Sequence, residues 1–220
     1  MPQDRRLQNR RARLGRREIE LRAEGFRFVA GADEAGAGPL AGPLVGAAVV
    51  LPAGARLPGV FDSKQLSAAQ REHWASEIRA QAIAYCVIEV SSKQVDAIGP
   101  YRAALLAMTQ AVNALDPPAD YLLIDARRLP HLSIPQEPVV KGDSRHLAIA
   151  AASILAKTYR DARMVELEAQ YPGYGFAQHK GYGTEAHVEA LHRLGPCPEH
   201  RVRYAPVRAA MGDAQARLLF

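Results

Sequence analysis

The stretch GADEAGAGPLAG, residues 31–42, is the part of this chain that decides its fold. It follows an apolar run, FRFVA (26–30), and precedes another, PLVGAAVVL (43–51), so it reads as the connection between two strands. Two adjacent acids, Asp33 and Glu34, end the first strand, and glycines follow at once. Neighbouring carboxylates repel each other unless a cation or water lies between them. The stretch therefore predicts either a cation site or a solvated turn.

The composition is that of one domain with a core of its own. Of the 220 residues, 48% are hydrophobic, and the net charge of +5 favours polyanionic partners moderately. No apolar run is long enough to span a bilayer, and no signal peptide is seen. The two cysteines, Cys86 and Cys197, do not form a disulfide framework or a zinc-ligand cluster. We expect a reduced, cytoplasmic monomer without a membrane partner.

The N-terminal residues differ from the rest in charge. Up to residue 17 they contain seven arginines and one acid, Asp4. We interpret residues 1–24 as a basic N-terminal extension and residues 25–220 as the main domain. The extension is either a solvated helix with no specific partner or an arm attracted to phosphate.

Hydrophobic periodicity and capping signals predict the elements of the main domain. Strands are predicted at 26–34, 43–51, 82–90, 120–126 and 137–143. Helices are predicted after the capping box of Ser67 and Gln70, from Pro100, at 147–169, and after Thr184. The early strands are consecutive and the later ones alternate with helices. This order indicates an α/β protein with a mixed five-stranded sheet flanked by helices.

Three of the predicted strands end in carboxylates. Asp33 and Glu34 end the first strand, Asp125 the fourth and Asp143 the fifth. Strand ends line the functional crevice of an α/β sheet, so these acids would meet if their strands are neighbours. Oxygen ligands without a His or Cys cluster suit Mg²⁺ or Mn²⁺. Two such ions roughly 4 Å apart support phosphodiester hydrolysis.

Each acid also has a purely structural interpretation. Asp33 and Glu34 would be a solvated turn pair, Asp125 a turn residue and Asp143 the N-cap of the helix at 147–169. Adjacent residues of a strand also point to opposite faces. Asp33 and Glu34 therefore share a site only if the backbone bends, which the following glycines allow.

The glycine segment also matches a dinucleotide-binding pattern. Residues 36–41, GAGPLA, fit G-x-G-x-x-G/A, and Asp62 follows at about the right distance. That fingerprint needs a helix N-terminus directly after the glycines, whereas a β-branched run follows here. Two acids beside a pyrophosphate would also repel it. A nicotinamide-dependent oxidoreductase is therefore the weakest of the functions considered.

Taken together, the motifs resemble one known family, ribonuclease HII (bacterial type 2 ribonuclease H), from about residue 20 to residue 207. The family's opening block, Asp-Glu-Ala-Gly-Arg-Gly-Pro-Leu-Ala-Gly, is similar to DEAGAGPLAG at 33–42. Further blocks of the family resemble DSKQLS (62–67), LLIDARRLP (122–130), VVKGDSRHLAIAAASILAKTYRD (139–161), HKGYGTEAH (179–187) and GPCPEHRVRYAPV (195–207).

The resemblance implies a ribonuclease H-like fold with a C-terminal helical extension. It implies an endoribonuclease that hydrolyses the RNA strand of RNA–DNA hybrids and nicks 5′ to single ribonucleotides embedded in duplex DNA. Two Mg²⁺ or Mn²⁺ ions would support a cut that leaves a 3′-hydroxyl and a 5′-phosphate. The implied process is ribonucleotide excision repair.

The resemblance also implies roles for single residues. By position, the catalytic and metal-binding acids are Asp33, Glu34, Asp125 and Asp143. The nucleic-acid contacts are the backbone of Gly36, Ala37 and Gly38 at the 2′-hydroxyl, Tyr182 on the next deoxyribose, and Lys64 at a phosphate. Tyr182 has an alternative interpretation as a packed aromatic residue before the last predicted helix.

Position 37 departs from the family, because Ala37 stands where the family has arginine. Backbone contacts survive this change and side-chain contacts do not. We therefore expect weakened substrate binding or relaxed junction preference, with metal binding kept. A hybrid-binding protein with impaired catalysis on the same fold is the alternative function. Ala126, where many members have glycine, is expected to be tolerated.

Other polar residues are given weaker roles. Asp161 is better explained by a salt bridge on its helix than by metal binding. His179 and His200 are expected to pack or to contact phosphate rather than to act as bases. Basic side chains that either line a phosphate track or are simply solvated are Arg127, Arg128, Lys141, Arg145, Lys180 and Arg201.

Overall fold

The computed structural model describes residues 14–60 and 63–217, without the side chains of Lys64 and of residues 213–217. The strands are β1 (Val29–Ala35), β2 (Leu44–Val50), β3 (Ala84–Val90), β4 (Tyr121–Asp125) and β5 (Gln136–Val139). The α-helices are α1 (Arg16–Ala23), α2 (Ala68–Gln81), α3 (Ser92–Ile98), α4 (Pro100–Asn113), α5 (Leu147–Gln170), α6 (Phe176–His179), α7 (Glu185–Leu194) and α8 (Ala205–Arg217). Single 3₁₀ turns lie at Ser63–Gln65 and Gly142–Ser144.

The five strands form one mixed sheet in the order β3-β2-β1-β4-β5. β1 and β2 are antiparallel, as are β2 and β3, whereas β1, β4 and β5 run parallel. Since a strand and not a helix follows the glycine segment, the dinucleotide-binding interpretation is wrong. The predicted α/β fold with a mixed five-stranded sheet flanked by helices is confirmed.

Helices cover both faces of the sheet. α4 buries Met108 in the core cluster on one face, and α5 buries Ile154 in the cluster on the other. Gly31 explains how close α5 comes, because a Cβ there would lie 2.1 Å from the backbone carbonyl carbon of Ala148. α5 thus crosses directly over β1, which brings its polar residues to the acids at the end of that strand.

The capping signals of the sequence mark helix ends in the structure. Ser67 Oγ accepts a hydrogen bond from the Gln70 amide at 3.2 Å, and Gln70 Oε1 accepts one from the Ser67 amide at 2.9 Å. Thr184 caps α7 by accepting from the His187 amide at 3.3 Å. The predicted strand at 137–143 was too long, since β5 ends at Val139.

The C-terminal helices pack on the glycine segment. α7 and α8 bury Leu191 and Val207 together with Leu40. An isolated antiparallel bridge joins Ala41 to His200. The helical C-terminal part therefore supports the loop that carries the predicted substrate contacts.

Helix α1 lies within the predicted basic extension and packs on the domain. Leu21 is buried in a cluster with Val29, and Glu18 Oε1 accepts a hydrogen bond from the Ala148 amide at 3.0 Å. Residues 1–13 lie outside the described residues, so the boundary at residue 24 and the phosphate-binding arm remain predictions. In the described part of the chain, no helix combines the length and the apolar character needed to cross a membrane.

Candidate active site

A cleft of about 440 Å³ opens at the carboxyl ends of β1 and β4. The residues predicted for metal binding and for junction contact, apart from Lys64, all line it: Asp33, Glu34, Asp125, Asp143, Gly36, Ala37, Gly38 and Tyr182. The side chain of Lys64 lies outside the described residues. Segments far apart in sequence thus supply one site.

The parallel pairing of β1 with β4 explains why Asp33 and Asp125 are neighbours. Ala32 pairs with Ile124, so the two aspartates are the next residues along adjacent strands. Asp33 is buried, and its Oδ1 accepts a hydrogen bond from the Glu34 amide at 2.8 Å.

The bend that the two adjacent acids require lies just beyond them. β1 ends at Ala35, and Gly36 has a φ of +98°, a conformation that side chains disfavour. The side chain of Glu34 is 19% exposed and lines the same cleft as Asp33. The acid pair is therefore part of a cleft, and the interpretation as a solvated turn pair is wrong.

The 3₁₀ turn after β5 brings Asp143 beside Asp125. Asp125 ends β4, and its Oδ1 accepts a hydrogen bond from the Gly142 amide at 2.7 Å. Asp143 is the next residue and is buried. The N-cap position of α5 belongs to His146, so the interpretation of Asp143 as the N-cap is wrong.

The carboxylates of the cleft repel one another. Burial, followed by the charges of Glu34 and Asp125, raises the pKa of Asp33 well above its ordinary value. The hydroxyl of Ser153 opposes this rise through a hydrogen bond to the carboxylate. Ser153 Oγ lies 2.9 Å from Ser63 Oγ, which links α5 to the 3₁₀ turn at Ser63. A cation in the cleft would relieve the repulsion.

The donor set fits a divalent ion by its chemistry. It consists of carboxylate oxygens, which Mg²⁺ and Mn²⁺ prefer. Among the described residues, no three His, Cys, Asp or Glu side chains are already gathered closely enough to hold one ion. The carboxylates therefore have to turn toward an ion to bind it.

Tyr182 lines the same cleft as the acids. Its side chain is 46% exposed, so the alternative of a packed aromatic residue does not hold. Lys157 Nζ lies 5.8 Å from the centre of the ring. The backbone of this loop is tied to the glycine segment, because the Leu40 amide donates to the Gly181 carbonyl at 2.8 Å.

A basic cluster borders Tyr182. Lys157 Nζ donates to Asp161 Oδ1 at 2.7 Å, and Arg71 Nη2 donates to Asp161 Oδ2 at 3.2 Å. The salt-bridge interpretation of Asp161 is therefore confirmed. Lys157 and Ser153 both line the cleft, and sequence reasoning gave neither a role in it. Their spacing of four residues on one helix was the available signal.

The other basic candidates differ in position. Arg127 Nη1 lies 4.0 Å from Glu34 Oε1, and Lys141 lines the cleft. Arg128 and Arg145 are exposed. Arg201 is fully buried, so its placement on a phosphate track is wrong.

The histidines near the C-terminus pack against one another. His187 Nε2 and His200 Nε2 are 3.0 Å apart. His200 Nδ1 accepts from the Cys197 amide at 3.0 Å, while His187 Nδ1 lies 2.9 Å from the Tyr182 carbonyl. Burial, followed by the charges of His187 and His179, lowers the pKa of His200 to about 4. His200 is thus a packing residue and not a base in the cleft.

The fold and the cleft together define a class of protein: a nuclease of the ribonuclease H fold with carboxylates at its strand ends. The sequence profile of the family described as Ribonuclease HII matches residues 30–207. The chain belongs to the ribonuclease HII family.

Individual relatives agree with this assignment. A ribonuclease HII from Anaeromyxobacter sp. (strain Fw109-5) is 52% identical over 201 residues, and the match covers 91% of this chain and 64% of the relative. The crystal structure of ribonuclease H2 from Pyrococcus horikoshii OT3 superimposes with a TM-score of 0.73 at 27% identity, covering 87% of this chain and 99% of that one. A Bst-RNase HIII solved in complex with Mn²⁺ shares the fold at a TM-score of 0.68 and 22% identity, covering 86% of this chain and 71% of that one.

The predicted family and fold are confirmed by these matches. The roles assigned to single residues stay predictions, because likeness of sequence and fold does not test them.

Proposed function

We propose that the chain is an endoribonuclease that hydrolyses the RNA strand of RNA–DNA hybrids and nicks 5′ to single ribonucleotides in duplex DNA. The products would be a 3′-hydroxyl and a 5′-phosphate, and the cofactors two Mg²⁺ or Mn²⁺ ions. The observation that carries the proposal is the convergence of Asp33, Glu34, Asp125 and Asp143 on the cleft that also holds the glycine segment and Tyr182.

The acids of the chain would hold the ions. When bound, two divalent ions supply an activated water and stabilise the leaving oxygen of the phosphodiester. The chain contributes orientation: Asp33 is held by the Glu34 amide and the Ser153 hydroxyl, and Asp125 by the Gly142 amide.

The glycine segment and Tyr182 would recognise the RNA–DNA junction. Gly38 leaves open space, since a Cβ there would meet no atom closer than Tyr182 Cε1 at 4.0 Å. Backbone groups at this position can therefore approach a 2′-hydroxyl, the atom that distinguishes RNA from DNA. The exposed ring of Tyr182 would stack on the following deoxyribose, and Lys157 would contribute positive charge toward the phosphates.

The test is cleavage of an end-labelled DNA duplex that contains one ribonucleotide. We expect one nick, 5′ to the ribonucleotide, with Mg²⁺ or Mn²⁺ and none with a chelator. The all-DNA duplex should stay intact. A divalent-dependent cut at any other position, or no cut at all, would contradict the proposal.

A matched pair of aspartate variants separates loss of a cleft carboxylate from loss of stability. Asp33→Asn removes a carboxylate of the cleft and should abolish nicking. Asp120→Asn alters the opposite end of β4, where the side chain accepts from the amides of Arg27 and Phe28 at 2.7 and 2.9 Å. That variant should keep nicking, since its carboxylate lies away from the cleft.

A second candidate function is favoured by Ala37. Without the family arginine, the chain would bind RNA–DNA hybrids but cut them weakly or with relaxed junction preference. Fluorescence anisotropy separates the two candidates: tight binding of the ribonucleotide-containing duplex without divalent-dependent nicking would favour the second.

A further inference from the structure

Two arginines are fully buried beside the cleft, Arg160 on α5 and Arg201 before α8. Within the described residues, neither guanidinium forms a salt bridge, and their hydrogen bonds go almost entirely to backbone carbonyls. A buried charge is costly unless its partners compensate it. Burial, and then the charge of Arg201, lowers the pKa of Arg160 to about 10. The carbonyl groups around the two guanidiniums therefore compensate this burial.

Arg201 donates hydrogen bonds to four backbone carbonyls of residues 36–42. Its Nη2 donates to Gly36 at 2.7 Å and to Gly42 at 2.8 Å, and its Nη1 donates to Pro39 at 2.9 Å and to Ala37 at 3.2 Å. In a planar trans peptide, the amide N–H points opposite to the preceding carbonyl. Holding the carbonyls of residues 36 and 37 inward therefore turns the amides of residues 37 and 38 away from the guanidinium.

Arg160 connects the end of the glycine segment and the following Pro43 to the loop of Tyr182, residues 180–184. Its Nε and Nη2 donate to the carbonyls of Pro43 at 2.9 Å and Ala41 at 3.1 Å, while Nη1 donates to the carbonyl of Lys180 at 2.9 Å. One side chain thus holds together two neighbouring loops that both line the cleft. The fork of the guanidinium suits this role, because its donors are spread over a rigid plane, whereas the three donors of a lysine ammonium all leave a single nitrogen.

We propose that Arg160 and Arg201 are positioning residues that fix the glycine segment against the Tyr182 loop for recognition of an RNA–DNA junction. This inference rests on the proposed function. Neither side chain reaches the solvent, so both act on the substrate through backbone that they hold. Tyr204 belongs to the same unit, since its hydroxyl donates to the Ala37 carbonyl at 2.8 Å.

The variants that test the proposal keep the positive charge of the arginine but lose its planar fork of hydrogen-bond donors. In Arg201→Lys and in Arg160→Lys, we expect KM for a single-ribonucleotide duplex to rise about tenfold, with kcat changed by less than about threefold. Mn²⁺ affinity from calorimetry should stay within about twofold of wild type, because the acids are untouched. Tyr204→Phe removes one hydroxyl and should raise KM by roughly threefold.

A matched arginine controls for stability. Arg22 Nη2 donates to the Leu51 carbonyl at 2.6 Å, away from the cleft. Arg22→Lys loses the same kind of bond and should lower the melting temperature without moving KM. A rise of KM in this control equal to that in Arg201→Lys would mean that the effect is general destabilisation, and the proposal would be wrong.

Binding measured without cleavage separates this proposal from the proposed function. In Ca²⁺, anisotropy gives the affinity ratio between a ribonucleotide-containing duplex and its all-DNA counterpart. If wild type shows no preference, junction recognition and the positioning role both fail. If wild type shows a preference and nicks, but Arg201→Lys keeps the same ratio and KM, the positioning role alone is overturned. Should the lysine variants not fold, an unchanged KM in Tyr204→Phe overturns it.

Discussion

Gly36 and Gly38 are two positions apart, yet the structure predicts opposite consequences for adding one methyl group. At Gly36, with φ of +98°, a Cβ would lie 2.2 Å from Nε of the buried Arg160 and 2.8 Å from the Pro43 carbonyl oxygen. The backbone conformation costs about 1–2 kcal/mol with a side chain, and the forced contact about 1–3 kcal/mol more. Gly36→Ala should therefore lower the free energy of unfolding by roughly 2–5 kcal/mol.

At Gly38 the added methyl group meets no protein atom within 4 Å except Tyr182 Cε1 at 4.0 Å. Gly38→Ala should leave the free energy of unfolding within about 0.5 kcal/mol of wild type. Because the backbone of Gly38 is proposed to approach the 2′-hydroxyl closely, an added methyl group should hinder that approach, and KM for the single-ribonucleotide duplex should still rise.

Thermal unfolding followed by the nicking assay measures both effects. At about 2–4 °C per kcal/mol for a chain of this size, Gly36→Ala should melt roughly 4–20 °C below wild type. A melting temperature within about 2 °C of wild type would refute the rigid contact with Arg160. Wild-type KM in Gly38→Ala would refute close approach of the substrate to this segment.

Three further predictions concern charge. Asp33→Asn should raise the free energy of unfolding in a chelator by about 0.5–2 kcal/mol, because it removes the repulsion among the carboxylates. A variant that is no more stable than wild type in urea denaturation would contradict this. The pKa of His200 is lowered to about 4 in the folded chain, so the unfolded chain takes up a proton on this histidine at a higher pH than the folded chain does. The free energy of unfolding should therefore fall by roughly 3 kcal/mol as the pH is lowered from about 6.5 to about 4. Denaturation at pH 7.5 and 4.5 should show a smaller loss in His200→Asn, and an equal loss in both proteins would contradict this. Ala37→Arg should lower KM for the single-ribonucleotide duplex, and an unchanged rate and junction preference would count against the predicted weakness at that position.

The fold was predictable because its elements carry local signals. Alternating apolar residues mark the strands, and the capping box of Ser67 marks α2 where the structure has it. Helix α3 was missed although Ser91 and Gln94 form a second capping box, because seven residues give little periodicity. β5 was predicted too long, since the left-handed conformation of Lys141, with φ of +56°, turns the chain away from the sheet, and its sequence does not signal this.

The acids of the site were predictable for a different reason. Parallel strands place their carboxyl ends at one edge, so acids that end strands converge once the strand order is right. The buried arginines were not predictable. Arginine is rarely buried, and the carbonyls that hold Arg160 and Arg201 come from segments that meet only in the folded chain.

The backbone contacts of Ala37 bear on the departure from the family pattern. Its carbonyl accepts hydrogen bonds from Arg201 and Tyr204, so the conformation of the segment depends on partners other than the side chain at this position. Loss of the family arginine therefore removes a charge from the cleft without releasing the loop. Restoring that arginine should strengthen the attraction to the nucleic acid. Altering Arg201 should displace the amides of residues 37 and 38, which are proposed to contact the substrate. Because Arg201 donates a hydrogen bond to the Ala37 carbonyl, the two positions are in contact, and we expect their effects not to add in the double variant. A double variant in which Ala37→Arg no longer improves binding would show that the charge works only on a correctly held loop.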